Sequence, residues 1–163
     1  MIEESKTDRL NRRSYIHTNL TAGILGREVE KICDKENLTE AHFRVLWVLC
    51  RESTPTGRAM GDIADGLINR AADLTRLVDK LDKLSLVVRS RPKHDKRSVV
   101  VRVTPKGRRV FERLHEQIRH LHVEQWSGLT QTEQRQLVAL LAKVLRTQAH
   151  DEVSNSWLMG STT

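Results

Sequence analysis

Between Arg70 and Arg113 the chain carries fourteen Lys and Arg residues against five Asp and Glu, a balance of +9 within 44 residues. The whole chain of 163 residues has a formal net charge of +7, so everything outside this block balances to −2. Charge concentrated in this way is the electrostatic footprint of a surface that neutralises a polyanion. Charge alone does not separate nucleic acid from an acidic protein or lipid headgroups. Other chemistry is thinly represented. There is no phosphate loop, no nucleophile elbow and no pair of carboxylates set apart from helix surfaces, so no enzymatic activity is expected. Cys33, between Lys31 and Lys35, reads as an incidental thiol rather than a redox sensor, and Cys50 lies in an apolar run typical of core. His115 and His122 are seven apart and can share a helix face, but His120 falls off it. With no HxxxH or CxxC pairing, neither a metal site nor a cofactor is expected.

The elements that must carry the basic block are legible from apolar spacing. Leu10, Ile16, Leu20, Ile24, Leu25, Val29 and Ile32 mark one long amphipathic helix from about Thr7 to Lys35. Thr39 suits the N-cap of a second helix, reaching about Glu52. A short helix over Ala59 to Leu67, a break near Ile68-Asn69, and a helix from Arg70 to Leu84 follow. In the last of these Leu74, Leu77, Leu81 and Leu84 step 3, 4, 3, while Arg76, Lys80 and Lys83 occupy another side. Two short helices joined by a tight break, the second basic outside, form a helix-turn-helix. Leu86 to Val88 and the β-branched run Val99 to Val103 then read as a two-stranded hairpin, a wing, with a basic tip from Arg89 to Arg97. Thr104-Pro105 places an N-cap and a proline at the first position of a helix running to about Gln125. Thr130 to Glu133 is a capping box that opens the last helix, with Leu137, Leu140, Leu141, Val144 and Leu145 expected to face inward.

The longest apolar run, Val45 to Cys50, is six residues, far short of the roughly 20 that a membrane span needs. Met1 to Arg13 is polar, without the apolar stretch of a secretory signal, and two cysteines make no disulfide framework. The expected compartment is a reducing cytoplasm.

Asp73 to Leu81 (DLTRLVDKL), Leu84 to Arg89 (LSLVVR), Asp95 to Ser98 (DKRS) and Val103 to Gly107 (VTPKG), in that order, resemble the multiple-antibiotic-resistance regulator (MarR) family. Leu38-Thr39 and Ile63-Ala64 repeat two further family features, and the resemblance covers about residues 10 to 148. It implies a mainly α fold with a small two-stranded β wing: a winged helix-turn-helix joined to a helical dimerisation region. The expected division is 1–37 as an N-terminal dimerisation helix, 38–104 as the DNA-binding region, 105–150 as C-terminal dimerisation helices and 151–163 as a loose tail. The implied function is a homodimeric, sequence-specific regulator of transcription, a ligand-relieved repressor on a pseudo-palindromic operator.

Carried over by position, Thr75 and Arg76 lie on the helix that such proteins insert into the major groove, with Arg70 and Asp73 near its N-terminal end. Arg97 corresponds to the arginine at the wing and Asp95 to the acid that orients it. Lys80, Lys83, Arg91, Lys93 and Lys96 suit phosphate contacts. The resemblance further implies a small aromatic-acid effector in a cleft lined by Arg13, Tyr15, His17, His42, Arg44 and Trp47. Trp126, near the last helix junction, reads as a dimer anchor. Two departures stand out. Ser85 replaces the glycine common after the recognition helix, which predicts a different helix end and wing angle, and His42 replaces a common glutamine. The alternatives are a winged-helix protein-interaction module whose basic block meets an acidic partner, or a metal- or thiol-responsive regulator.

Overall fold

The computed structural model describes residues 5–51, 57–67, 73–91 and 99–148. Among the described residues six helices and three short strands follow one another: α1 (Lys6–Asp34), α2 (Glu40–Arg51), β1 (Arg58–Ala59), α3 (Met60–Asp65), α4 (Leu74–Lys83), β2 (Val87–Ser90), β3 (Val100–Val103), α5 (Pro105–Gln125) and α6 (Gln131–Gln148). The wing is therefore part of a three-stranded antiparallel sheet in the order β1-β3-β2, not an isolated hairpin. Arg58 pairs with Val101 and Ala59 with Val100, while Val87 pairs with Val103 and Ser90 with Val100. Gly57 permits the extra strand. Its φ is +83°, and a Cβ there would sit 2.7 Å from the Val101 carbonyl oxygen.

The core is centred on α2, whose Phe43, Val45, Leu46, Val48 and Leu49 are all buried. Against it pack Ile63 of α3, Leu74, Val78 and Leu81 of α4, Val101 of β3, and Val110, Leu114 and Ile118 of α5. In α4 the most buried positions are thus Leu74, Val78 and Leu81, with Leu77 and Leu84 only partly covered. The expected leucine ladder is displaced because α4 touches both α2 and β2, which widens its buried stripe. Phe43 stacks on Phe111 with ring centroids 5.7 Å apart, joining α2 to α5.

Helix ends follow local chemistry. The Thr104 hydroxyl accepts from the Gly107 N–H at 2.9 Å, with Pro105 at the first helical position of α5. Glu133 accepts from the Thr130 N–H at 2.8 Å, and the Thr130 hydroxyl accepts from the Glu133 N–H at 3.3 Å, closing the box before α6. α1 starts with a similar box between Ser5 and Asp8.

The outer helices depart from the expected inward packing. Leu140, Leu141, Val144 and Leu145 are all exposed, and α6 buries none of its residues. Along α1 only Val29 and Cys33 are buried, while Leu10, Ile16, Leu20 and Ile24 stand open to solvent. The periodicity is right and the helices form, but among the described residues nothing covers these stripes. Among the described residues no helix is long and apolar enough to cross a membrane.

Candidate nucleic-acid interface

α4 presents Thr75, Arg76 and Lys83 outward, with Lys80 half-buried beside them. Asp73 precedes the first turn and pairs with Arg76 at 2.9 Å, holding that guanidinium along the exposed edge. The pair is solvent-exposed, so it orients Arg76 more than it stabilises the fold. Arg91 is exposed just beyond the end of β2. Arg70, Lys93, Asp95, Lys96 and Arg97 lie outside the described residues.

The C-terminal end of α4 fixes how this face meets the wing. Ser85 itself takes the left-handed conformation, with φ +58°. Its N–H donates to the Asp82 carbonyl at 2.8 Å and the Leu86 N–H to the Leu81 carbonyl at 2.9 Å, which is a Schellman ending. The helix therefore ends as it would with glycine, contrary to the expectation drawn from Ser85, at a cost of about 1 kcal/mol or more in backbone strain. The Thr104 hydroxyl donates to the Ser85 carbonyl at 2.8 Å, and Lys106 Nζ donates to the Leu84 carbonyl at 2.8 Å. Gly107 lies so close that a Cβ there would stand 2.0 Å from the Leu86 carbonyl oxygen. The start of α5 and the end of α4 are one joint.

A second feature is a cleft of about 430 Å³ between α1, α2 and α5. Val29, Phe43, Trp47 and Ile118 form its apolar wall. Glu40, Arg44, His115, Arg119 and His122 supply its polar groups. Arg44 is paired with Glu40 at 2.5 Å, and Arg119 with Glu116 at 2.7 Å. The Arg119 hydrogen bond, aided by the charges of Arg119 and His120, holds the Glu116 carboxyl down at about 2. Of the six residues expected around an effector, Arg44 and Trp47 line this cleft. Arg13, Tyr15 and His17 are exposed on the N-terminal half of α1, away from it.

His42 has another role. It is buried at the third position of α2, and its Nδ1 accepts from the Thr39 N–H at 3.1 Å. It reaches back to the N–H that precedes the helix, as the third-position glutamate or glutamine of a capping box does. Burial, and then the charge of Lys80, lower its pKa, which keeps the ring neutral and able to accept. Sequence alone does not mark His115, Arg119 and His122 as cleft residues, although the spacing of His115 and His122 does place them on one face. Among the described residues no group of three His, Cys, Asp or Glu is arranged to hold a metal ion. Burial, reinforced by Glu30, Glu40 and Asp34, pushes the Cys33 thiol up to about 12. Trp126 is half-buried at the end of α5, where its carbonyl accepts from Gln134 at 3.2 Å.

The sequence matches the profile of the Transcriptional regulator SarA/Rot family over residues 27–114, more than half of the chain. The chain belongs to this family. Among solved structures it is similar to the transcriptional regulator BldR from Sulfolobus solfataricus, with 30% identity, a TM-score of 0.66, and coverage of 88% of this chain and 99% of that one. It is similar also to a mutant of MarR from E. coli complexed with operator DNA, with 25% identity, a TM-score of 0.71, and coverage of 86% and 99%. A MarR-family regulator from Silicibacter pomeroyi aligns at 26% identity with a TM-score of 0.67, over 86% of this chain and 92% of that one. No curated protein matches by sequence. The regulator is thus a DNA-binding transcription factor of the MarR-like winged-helix type, and its family and fold are those of transcription regulators rather than enzymes.

Proposed function

We propose that the regulator is a homodimeric repressor, released from its operator by a small aromatic acid. The observation that carries this reading is the pairing of an outward α4 face bearing Thr75, Arg76 and Lys83 with uncovered apolar stripes on α1 and α6. Stripes of this length on a water-exposed protomer call for a second apolar surface, and a second copy supplies an identical one. Two-fold symmetry then puts two recognition helices about 34 Å apart on one side of a pseudo-palindromic duplex. Arg70, Asp73, Thr75 and Arg76 act on base edges. Lys80, Arg91, Lys93 and Lys96 act on phosphates, and Arg97, oriented by Asp95, reaches the minor groove, where a weakly hydrated guanidinium is favoured.

The cleft supports the effector. Its volume lies within the range of small-molecule sites, about 300–1,000 Å³. Trp47 and Phe43 offer ring faces, and Arg44 and Arg119 offer cations to a carboxylate. A ligand there presses on α5, and the joint at Gly107 passes any shift of α5 to the end of α4.

The test is a gel shift on a duplex that the wild-type protein selects from a random library. Arg97→Ala is expected to weaken binding at least tenfold while self-association persists; an unaltered shift would refute the wing assignment. Lys93→Ala is expected to weaken selected and random duplexes alike and to reduce the salt slope by about one. Aromatic carboxylates, benzoate first, are expected to release the selected duplex. Complexes that survive the whole series contradict the effector.

A further inference from the structure

We propose that Arg89, although it belongs to the basic block, never touches DNA and is instead the positioning residue that locks the reading face of α4 to the wing. The inference rests on the reading of α4 as the DNA-facing helix. Arg89 sits within β2 opposite Val101, and its side chain is only 26% exposed. Its guanidinium turns away from solvent and onto the flank of α4. Nη2 pairs with Asp79 and also donates to the Thr75 carbonyl at 3.3 Å, while Nε lies 4.0 Å from Asp82. Thr75, Asp79 and Asp82 are spaced i, i+4, i+7 along one edge of the helix; the Thr75 carbonyl lies at the level of Asp79, so the guanidinium covers about one turn, from that level toward Asp82.

Arginine carries Nη2 to Asp79 and the Thr75 carbonyl and Nε toward Asp82 on one rigid plane, whereas a lysine ammonium is a point charge that keeps at most the Asp79 end. Nε is buried with no hydrogen-bond partner among the described residues, so the hydrogen bonds that hold the side chain are those of Nη2. The same strand runs directly into exposed Arg91 and the basic loop. A rotation of α4 relative to the sheet therefore breaks the Arg89 contacts. Without the guanidinium, Asp79 and Asp82 are left as two uncompensated carboxylates beside the surface that approaches phosphates.

A positioning residue and a phosphate contact leave different signatures. The loss of a phosphate contact lowers affinity for every duplex and reduces the salt slope by about one, whereas misplacement of the helix lowers selectivity. The experiment measures Kd against salt for wild type, Arg89→Ala, Arg89→Lys, Asp79→Asn and the reciprocal pair Arg89→Asp/Asp79→Arg. The probes are the duplex selected by the wild-type protein and a random duplex of equal length, with folding checked by circular dichroism at the assay temperature. Arg89→Ala, Arg89→Lys and Asp79→Asn are each expected to lose at least tenfold on the selected duplex and less than threefold on the random one, with the salt slope unchanged. The reciprocal pair is expected to recover part of the selectivity.

Equal losses on both duplexes with a shallower salt slope would overturn the proposal, as would full selectivity in Asp79→Asn. Should Arg89→Ala not fold, Arg89→Lys and Asp79→Asn decide the matter. A wild-type protein that does not distinguish the two duplexes would instead refute the functional reading beneath the proposal.

Discussion

Replacing Gly107 by alanine adds one methyl group at the joint between α5 and the end of α4. That carbon would meet the Leu86 carbonyl oxygen at 2.0 Å, the Leu86 carbonyl carbon at 2.8 Å and Val103 Cγ2 at 3.0 Å. An ordinary carbon–oxygen contact is well over 3 Å, so α5 or the Leu86 peptide must retreat by roughly 1 Å. Neither neighbour is free to do so. The Leu86 carbonyl accepts the Thr104 N–H at 3.0 Å and the Thr104 hydroxyl at 3.1 Å, and its N–H completes the Schellman ending of α4. Overpacking typically costs about 1–3 kcal/mol, and each bond broken in the retreat adds about 1 kcal/mol. A total of about 2–4 kcal/mol lowers Tm by roughly 4–16 °C in a domain of this size. Scanning calorimetry at one fixed protomer concentration measures the first effect, since dissociation of an oligomer would otherwise move Tm. Fluorescence anisotropy with the selected duplex, well below Tm, measures the second: affinity falls more for selected than for random DNA because α4 is displaced. A Tm within 1 °C of wild type, or unchanged affinity for the selected duplex, would refute the joint.

Two further outcomes follow from the burial pattern. His42 has its pKa lowered in the fold by burial and by Lys80, from an ordinary 6.5. The unfolded chain therefore takes up the proton first as pH falls, so the stability from the neutral ring is complete above pH 6.5 and declines below it, by at most about 1.4 kcal/mol per pH unit until the folded pKa is reached. Urea titrations from pH 7.5 downward should show this slope in wild type and its flattening in His42→Gln, which keeps an acceptor for the Thr39 N–H; equal slopes would exclude His42 as the source. Leu141→Glu, on the uncovered stripe of α6, is expected to weaken self-association by roughly 100-fold with little change in helicity. Sedimentation equilibrium identical to wild type would exclude α6 from the proposed self-association.

Much of the fold is legible in the sequence wherever one residue type has one local job. Thr104-Pro105 marks the start of α5, and Thr130 with Glu133 marks α6, because caps depend on groups three residues apart. β1 is not legible. Two residues carry no periodicity, and Arg58 and Ala59 become a strand only through pairing with β3. The stripes on α1 and α6 are visible as apolar spacing, but spacing does not say whether the same chain or another covers them. Ser85 shows that a strained residue can be retained where the neighbouring backbone hydrogen bonds already dictate the turn. The chemistry of His42 suggests a cleft, yet its position three residues after Thr39 makes it a cap. Arg89 illustrates the limit of charge counting: it adds to the basic block and points inward, where its partners are the acids of α4.

The central claim is that two copies of the α4 face and its wing read one duplex symmetrically. Hydroxyl-radical footprinting of the wild-type protein on the selected duplex tests this most directly. The account predicts protection in two half-sites related by a pseudo-two-fold, centred about 34 Å apart on one face of the DNA. A single protected half-site, or uniform protection no different from that on random duplex, would contradict it.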